Sequence, residues 1–253
     1  HLLWAQCRLI LILHYQGRLA SIESSSLVQR ARLLAQRSGD RFLRTVIEAN
    51  SAVFALDVGD LDRAEAFLNR SNELLAGADL RHLNLNQVIN EAELAYCRGE
   101  FESARDRFLA AEALWEPPLP RHVLNVVHAG LGLCDLETGS LSQASKRLNQ
   151  ISADPPIWHY DPCMVLYFRA RMEAKRGRVD SALDILQRHQ PGLFPRMTTA
   201  WLKLRWRECQ LRKRAGLPPA RDRVAEALQV ARALSLGNRA QQFEAFIGNY
   251  SAT

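Results

Sequence analysis

The side chains best suited to binding chemistry are cations at helical spacing near the end of the chain. Lys203, Arg207, Gln210 and Arg214 lie at i, i+4, i+7 and i+11, so a helix would place all four on one stripe. A stripe of this kind can contact phosphate groups. No recognised DNA-binding motif accompanies it, and two other interpretations stay open. The stripe can be the solvated outer face of a terminal helix, or a docking surface for an adjoining acidic domain.

Signatures of catalysis are absent from the sequence. No phosphate loop ending in GK[ST] is present, and neither are the HExxH, CxxC and GxSxG patterns. Gly130 and Gly132 form a GxG in a helical stretch with no strand before it, which favours small residues at a helix contact. His82, His122 and His128 have no ligand spacing to a Cys or an acid. We therefore expect no enzyme, no metal and no cofactor.

Charge is distributed unevenly along the 253 residues, whose net charge is +6. Residues 190–253 hold 11 Lys and Arg against 4 acids, whereas residues 41–189 are net acidic. The apolar content of 47% is sufficient for a core. Five cysteines without paired spacing argue against a disulfide framework. We interpret Cys97, Cys134 and Cys209 as reduced core thiols, which fits a reducing cytoplasm.

No membrane span is predicted from the sequence. The apolar run Leu9–Leu13 is far shorter than the roughly 20 residues that a spanning helix needs. The chain begins at His1 and not at Met, which suggests a fragment of a longer protein. A cytoplasmic domain, with no membrane partner, is therefore expected.

A six-residue pattern recurs through the chain at an almost fixed interval. It reads GDLDRA from Gly59, GEFESA from Gly99, GSLSQA from Gly139 and GRVDSA from Gly177, with an imperfect copy from Gly17. The glycines are 42, 40, 40 and 38 residues apart. Self-similarity at such a period indicates an array of repeats.

The pattern has a physical reason. A glycine after the last turn of a helix can adopt the left-handed conformation that closes the helix. The next helix then begins at once, and its apolar second residue and its Ala are three apart, on one face. Each repeat is therefore predicted to be a helical hairpin that packs on its neighbours.

These positions resemble the tetratricopeptide repeat family. Small residues seven before each glycine (Ala52, Ala92, Gly132 and Ala170) match the small residue of the family's first helix, and Asn50 and Asn90 match its frequent Asn. The period is longer than the family's usual ~34 residues, and the early Trp is absent. The longer repeats are similar to those of bacterial signalling ATPases and ATP-dependent transcription activators of the maltose-regulator type.

The resemblance implies an all-α, right-handed superhelical array whose first helices line a concave binding surface. Counting from each glycine, the positions that grip a partner in this family correspond to Asn86, Glu93, Tyr96, Tyr167, Arg171 and Lys175. Tyr and Arg are enriched at binding hot spots. The groove can also be solvated, or filled by another part of the parent protein.

The sequence thus predicts five hairpins over residues 1–215 and a helical cap over 216–253. The segment Trp158–Tyr160 is either a plug between repeats or a recognition loop. By resemblance, the function is a protein-interaction or ligand-sensing scaffold within a larger signalling or transcription-regulating protein. Its partner is a protein, a peptide, a neighbouring domain of the same polypeptide or a second copy of the chain. The alternative function is nucleic-acid binding through Lys203, Arg207 and Arg214.

Overall fold

The chain folds into helices joined by short turns. The computed structural model describes residues 26–77, 81–117, 119–151, 162–190, 193 and 197–251, and within these ranges it contains twelve α-helices and no strands. The predicted all-α class is confirmed. In chain order the helices are α1 (Ser26–Arg37), α2 (Arg41–Val58), α3 (Leu61–Leu75), α4 (Arg81–Arg98), α5 (Phe101–Leu114), α6 (Arg121–Glu137), α7 (Leu141–Gln150), α8 (Pro162–Lys175), α9 (Val179–Arg188), α10 (Thr198–Arg214), α11 (Arg221–Ala233) and α12 (Gly237–Ser251).

The glycines of the repeated pattern close the first helix of four hairpins. Their φ values lie between 79° and 84°, in the left-handed region that glycine enters without a steric penalty. After Gly59, the N–H of Asp60 donates to the carbonyl of Ala55 at 2.8 Å. The same bond spans the turns after Gly99, Gly139 and Gly177. This is the hydrogen bond of a Schellman turn, so each hairpin turn is encoded locally.

Small residues let the helices of the array approach closely. The alanines of the pattern, Ala64, Ala104, Ala144 and Ala182, are fully buried. On α6, a Cβ at Gly130 or Gly132 would come within 2.3 Å of the Phe108 ring or 2.2 Å of the Phe168 ring. Nothing larger than glycine fits at either position without displacing a buried aromatic ring. The interpretation of this GxG as a helix contact is confirmed.

The first helices of the hairpins form an inner layer that closes on itself. Helices α2, α4, α6, α8 and α10 contact one another in series, and α10 also contacts α2. The second helices α3, α5, α7 and α9 each pack between two consecutive first helices. The surface predicted to be a binding groove is therefore covered by the chain's own α10, which is one of the alternatives that the sequence left open. A right-handed superhelical path of the hairpins stays a prediction.

The C-terminal end differs from the sequence prediction. The sequence Leu236–Gly237–Asn238 is typical of a helix stop and predicts only a short helix over 240–246, but α12 already begins at Gly237 and continues to Ser251. The stop lies two residues earlier, because Ser235 adopts a positive φ of 57° and the N–H of Leu236 donates to the carbonyl of Ala231. Ser235 thus takes the place of the usual glycine. Nothing in the sequence pattern indicates that a serine ends the helix here.

Some predictions fall outside the described residues, namely a first helix over 2–16 with Gly17, the run Leu9–Leu13 and the segment Trp158–Tyr160. Among the described cysteines, Cys134, Cys163 and Cys209 are buried, Cys97 is partly buried, and all four are free thiols. None of the described helices has both the length and the apolar character needed to cross a bilayer.

Candidate functional site

The cationic stripe on α10 faces the inner layer. Lys203 and Arg207 are only 4% and 6% exposed, whereas the side chain of Arg214 is 45% exposed. The expectation of one continuous accessible basic face is therefore wrong for the first two residues. They are covered because α10 packs between α8 and α2, which periodicity within α10 cannot reveal.

Lys203 ties the end of the inner layer to its beginning. Its Nζ lies 2.9 Å from Oδ1 of Asp57 on α2 and 2.7 Å from Oε1 of Glu93 on α4. All three side chains are largely buried. A buried ammonium is stable in a protein interior only when it is paired and hydrogen-bonded. The two carboxylates therefore fix α10 against α2 and α4.

Arg207, one turn further along α10, is buried without such partners. Its guanidinium lies over the ring of Tyr167, 4.8 Å from the centroid, and 5.8 Å from the centroid of Tyr96. One N–H donates to Oε1 of Gln210 at 3.0 Å. Within the described part of the chain, Arg207 forms no ion pair with a carboxylate. Burial alone would lower the pKa of Arg207, but Cys97, the two tyrosines and Glu93 outweigh it and raise that pKa, so the guanidinium keeps its charge.

Arg214 and Arg171 share one carboxylate at the other end of the stripe. Glu137 on α6 accepts hydrogen bonds from Arg171 at 2.7 Å and from Arg214 at 2.9 Å. The hydroxyl of Tyr96 also donates to this carboxylate, at 3.1 Å. Burial alone would raise the pKa of Glu137, but the two arginines outweigh it and lower that pKa. Glu137 is therefore held ionised.

The residues predicted to line an exposed groove have different positions in the structure. Glu93, Tyr96, Tyr167 and Arg171 are buried, Asn86 is half-buried and Lys175 is exposed. The prediction of solvent-exposed groove positions is wrong for the first four, because α10 covers them. Three of the four, Glu93, Tyr96 and Tyr167, line one cavity together with Lys203, Arg207 and Arg214. Two sets of residues predicted as alternative sites thus meet in one place.

We call this space the closure cavity, because it lies where α10 and α12 meet α2, α4 and α8 and the inner layer closes. Its volume is about 360 Å³. Tyr96, Tyr167 and Trp206 form its aromatic walls, and Cys97 contributes a thiol. Arg98 and Gly99, which are exposed, lie at its edge, so the cavity is accessible from solvent. It combines apolar walls with a few convergent polar groups, as small-molecule sites generally do.

Arg239 on α12 is a cavity residue that sequence reasoning missed. It is buried, donates to Oε1 of Gln242 at 2.6 Å and to the backbone carbonyl of Asp57, and its Nε–H has no partner. Within the described residues it forms no ion pair. Burial lowers the pKa of Arg239 to about 10, and Arg207 contributes to that lowering. No local pattern signals this residue, because its contact partner lies 182 positions away.

Arg98 at the edge of the closure cavity pairs with the exposed Glu65 and Asp62, where solvent screens the charges. The charges deeper in the closure cavity do not balance. Lys203 with its two carboxylates carries one net negative charge, and Glu137 with its two arginines carries one net positive charge. These two groups cancel. Arg207 and Arg239 then leave two buried positive charges without counterions from the described residues. An arrangement of this kind attracts an anion.

The opposite side of α10 carries a second buried acid, Glu208. Arg223 donates to it at 2.9 Å, Arg212 at 3.4 Å and Gln187 at 3.0 Å, while Arg205 lies 3.7 Å away. We call Glu208 with these three arginines the Glu208 cluster. The void beside it is only about 10 Å³, about the space of a single water. This cluster is filled by the chain itself.

Comparison with known proteins gives no relative for the chain: no family model, no curated protein and no solved structure matches it. The tetratricopeptide resemblance thus remains a resemblance on the residues that carry it. Within the described ranges, no cluster of three His, Cys, Asp or Glu side chains could hold a metal ion. The closure cavity is therefore the feature on which a functional argument can be built.

Proposed function

We propose that this chain is a ligand-sensing regulatory module, built of tetratricopeptide-like hairpins, whose binding site is the closure cavity. The observation that carries the proposal is the position of the cavity at the point where the inner layer closes. Residues of α2 and α4 line one side of it, and residues of α10 and α12 line the other. A ligand that contacts both sides stabilises the closed arrangement.

The geometry favours a small molecule over an extended peptide. Tyr96, Tyr167 and Arg171, which an extended peptide would need to reach, are buried under α10. The remaining space of about 360 Å³ lies near the lower end of the roughly 300–1,000 Å³ typical of small-ligand pockets. We therefore propose a compact site in place of the predicted peptide groove.

Regulation would follow from differential binding. A ligand shifts a conformational equilibrium only by as much as its affinity differs between the two states. Separation of α10 from α2 would divide the cavity walls, so an open arrangement would bind the same ligand weakly. The resulting change in closure would be transmitted to neighbouring domains of a larger signalling or transcription-regulating protein. That context rests on the family resemblance, whereas the proposed cytoplasmic location rests on the interpretation of the cysteines as reduced thiols.

Nucleic-acid binding, the alternative function, gains no support from the positions of its residues. Lys203 and Arg207 are buried, and the partly exposed Arg214 already pairs with Glu137. Phosphate groups of a duplex reach only side chains that are open to solvent. A salt-dependent affinity for DNA or RNA that is lost on reversal of Arg214 would restore this alternative.

The test is a thermal-shift screen of small metabolites against three forms of the protein. Gln210→Trp places an indole in the closure cavity, and Lys175→Ala changes an exposed residue that does not line it. A ligand at about 100 times its Kd adds roughly 2.7 kcal/mol of stability, or a Tm increase of about 5–10 °C. We expect hits to stabilise the wild type and Lys175→Ala but not Gln210→Trp.

Two results would contradict the proposal. One is equal stabilisation of all three forms by every hit, which would move the binding site away from the closure cavity. The other is the absence of any stabilising compound in a screen that covers anionic, neutral and cationic metabolites. Circular dichroism of Gln210→Trp provides the folding control, because a variant that does not fold would lose hits for a trivial reason.

A further inference from the structure

We infer that the ligand of the closure cavity is a small dianion, a phosphate monoester, whose phosphate is held between Arg207 and Arg239. This inference rests on the proposed function, since it names the ligand class of the same site. Its basis is the pair of buried guanidinium groups that line one cavity without forming ion pairs with described residues.

Arg207 is the first half of the site. A guanidinium carries five N–H donors, and the structure gives one of them a partner, Oε1 of Gln210. The stacking over Tyr167 holds the guanidinium plane in place. A planar donor group fixed in this way is suited to bidentate contact with phosphate oxygens. Arg207 is therefore already oriented for an anion before one arrives.

Arg239 is the second half, and it comes from a different helix. Its Nε–H is buried and has no hydrogen-bond partner. A buried donor that lacks a partner costs about 1–3 kcal/mol, so a ligand that accepts its hydrogen bond recovers that free energy. Buried donors without a partner also occur at Arg205 and Arg223 in the Glu208 cluster, but only Arg239 has a space of ligand size beside it, so there an acceptor-rich ligand can supply the missing partner.

The charge of the ligand follows from the charges of the walls. After the groups around Lys203 and Glu137 cancel, two positive charges remain, those of Arg207 and Arg239. A phosphate monoester carries about −1.5 to −2 at pH 7 and offers three acceptor oxygens. It therefore neutralises the pair, whereas a monocarboxylate neutralises only half of it.

The cavity also limits what the phosphate can be attached to. Its volume of about 360 Å³ leaves room for one small organic group beside Tyr96 and Trp206. The backbone of a nucleic acid could not be enclosed there. A phosphorylated sugar or a similar small metabolite fits both the volume and the partly aromatic walls.

The experiment is isothermal titration calorimetry at constant ionic strength with ribose 5-phosphate, inorganic phosphate, succinate and ribose. The variants are Arg207→Met and Arg239→Met, with Arg232→Met as a control because Arg232 is an exposed residue of α11 outside the cavity. We expect ribose 5-phosphate to bind the wild type and the control, and ribose not to bind. Loss of a hydrogen bond to a charged group corresponds to an affinity about 10- to 100-fold weaker for either cavity variant.

A second readout locates the ligand and separates the two hypotheses. Cys97 lines the cavity and is partly exposed, so a bound ligand should slow its alkylation by iodoacetamide, as followed by peptide mass spectrometry. If neutral metabolites protect Cys97 and phosphate esters do not, the phosphate inference is wrong and the proposed function survives. Burial raises the pKa of Cys97, so the alkylation is run at alkaline pH, where the free protein reacts. If no compound slows that reaction, both are wrong. Tighter binding of succinate than of ribose 5-phosphate would reassign the dianion to a dicarboxylate and overturn the inference.

Discussion

The two sides of α10 bury arginines in opposite ways. In the Glu208 cluster, three arginines surround one carboxylate, and the void beside them is about 10 Å³. At the closure cavity, Arg207 and Arg239 have no ion pair with a described residue and line a space of about 360 Å³. Arg207 and Arg239 are buried, whereas the three arginines of the Glu208 cluster are half-buried. The two sides therefore differ in the exposure of their arginines, in the partners of those arginines and in the adjacent space.

The difference separates a structural role from a binding role. A charge that meets a carboxylate in a filled space is explained by packing, and removing its partner leaves an uncompensated buried charge. A charge that meets only aromatic rings and amide oxygens beside an open space is not explained by packing. Under the inference above, an external anion completes this arrangement. Three measurements test this comparison.

The largest effect is expected at the Glu208 cluster. Replacement Glu208→Gln removes the acid that faces Arg205, Arg212 and Arg223 and should lower the free energy of unfolding by about 3–4 kcal/mol, as breaking a buried pair does. Urea denaturation measures this change in the free energy of unfolding. The matched control is Glu226→Gln, because Glu226 is exposed and pairs with Arg205 at 2.8 Å; its cost should stay below about 1 kcal/mol. Equal costs would remove the structural role assigned to the cluster.

An intermediate effect, with a pH dependence, is expected at Glu137. The pKa of Glu137 is lowered from 4.5 in the folded state, so its ionised form stabilises the fold above that pH. This stability is lost as the pH falls through the folded pKa. The wild type should exceed Glu137→Gln by about 1–2 kcal/mol at neutral pH, and the difference should vanish in acid.

Urea denaturation at several pH values measures the Glu137 effect. The exposed Glu244, which pairs with Arg232, gives the control Glu244→Gln, whose stability relative to the wild type should change little. A wild-type advantage over Glu137→Gln that stays constant from neutral pH to about pH 3 would show that the carboxylate charge is not what Arg171 and Arg214 stabilise.

The smallest effect on stability is expected at Arg207. Replacement Arg207→Met removes a buried charge that has no ion pair to lose, and the new side chain keeps the packing against Tyr167. The free energy of unfolding should therefore change by less than about 1 kcal/mol, in either direction. Chemical denaturation without added anions is the measurement. A loss comparable to that of Glu208→Gln would mean that Arg207 is structural, and the contrast between the two sides of α10 would be lost.

Much of the fold could be predicted because its signals are local. The bounds of the helix Arg41–Val58 follow from local signals, since Asp40 caps its start and Gly59 closes its end. Ser235 was missed because a serine with positive φ has no distinctive sequence pattern. Local signals of this kind define single hairpins, and they contain no information on how distant hairpins meet.

The candidate site could be predicted only in pieces. Tyr96 and Tyr167 were expected on one surface and Lys203 and Arg207 on another, and the structure brings all four to one cavity. The contact that joins the surfaces, from Lys203 to Asp57, spans 146 positions. Arg239 was not predicted at all, because a single arginine in a C-terminal helix looks like an ordinary surface residue.

The closure by Lys203 also constrains how such a chain can change by duplication. In an open array each repeat contacts only its neighbours, so a hairpin can be gained or lost without disturbing distant ones. Here α10 must reach α2 to place Lys203 between Asp57 and Glu93. One extra hairpin before α10, or one fewer, would move that helix out of register with its two carboxylates. The two salt bridges of Lys203 therefore depend on the number of repeats between α2 and α10.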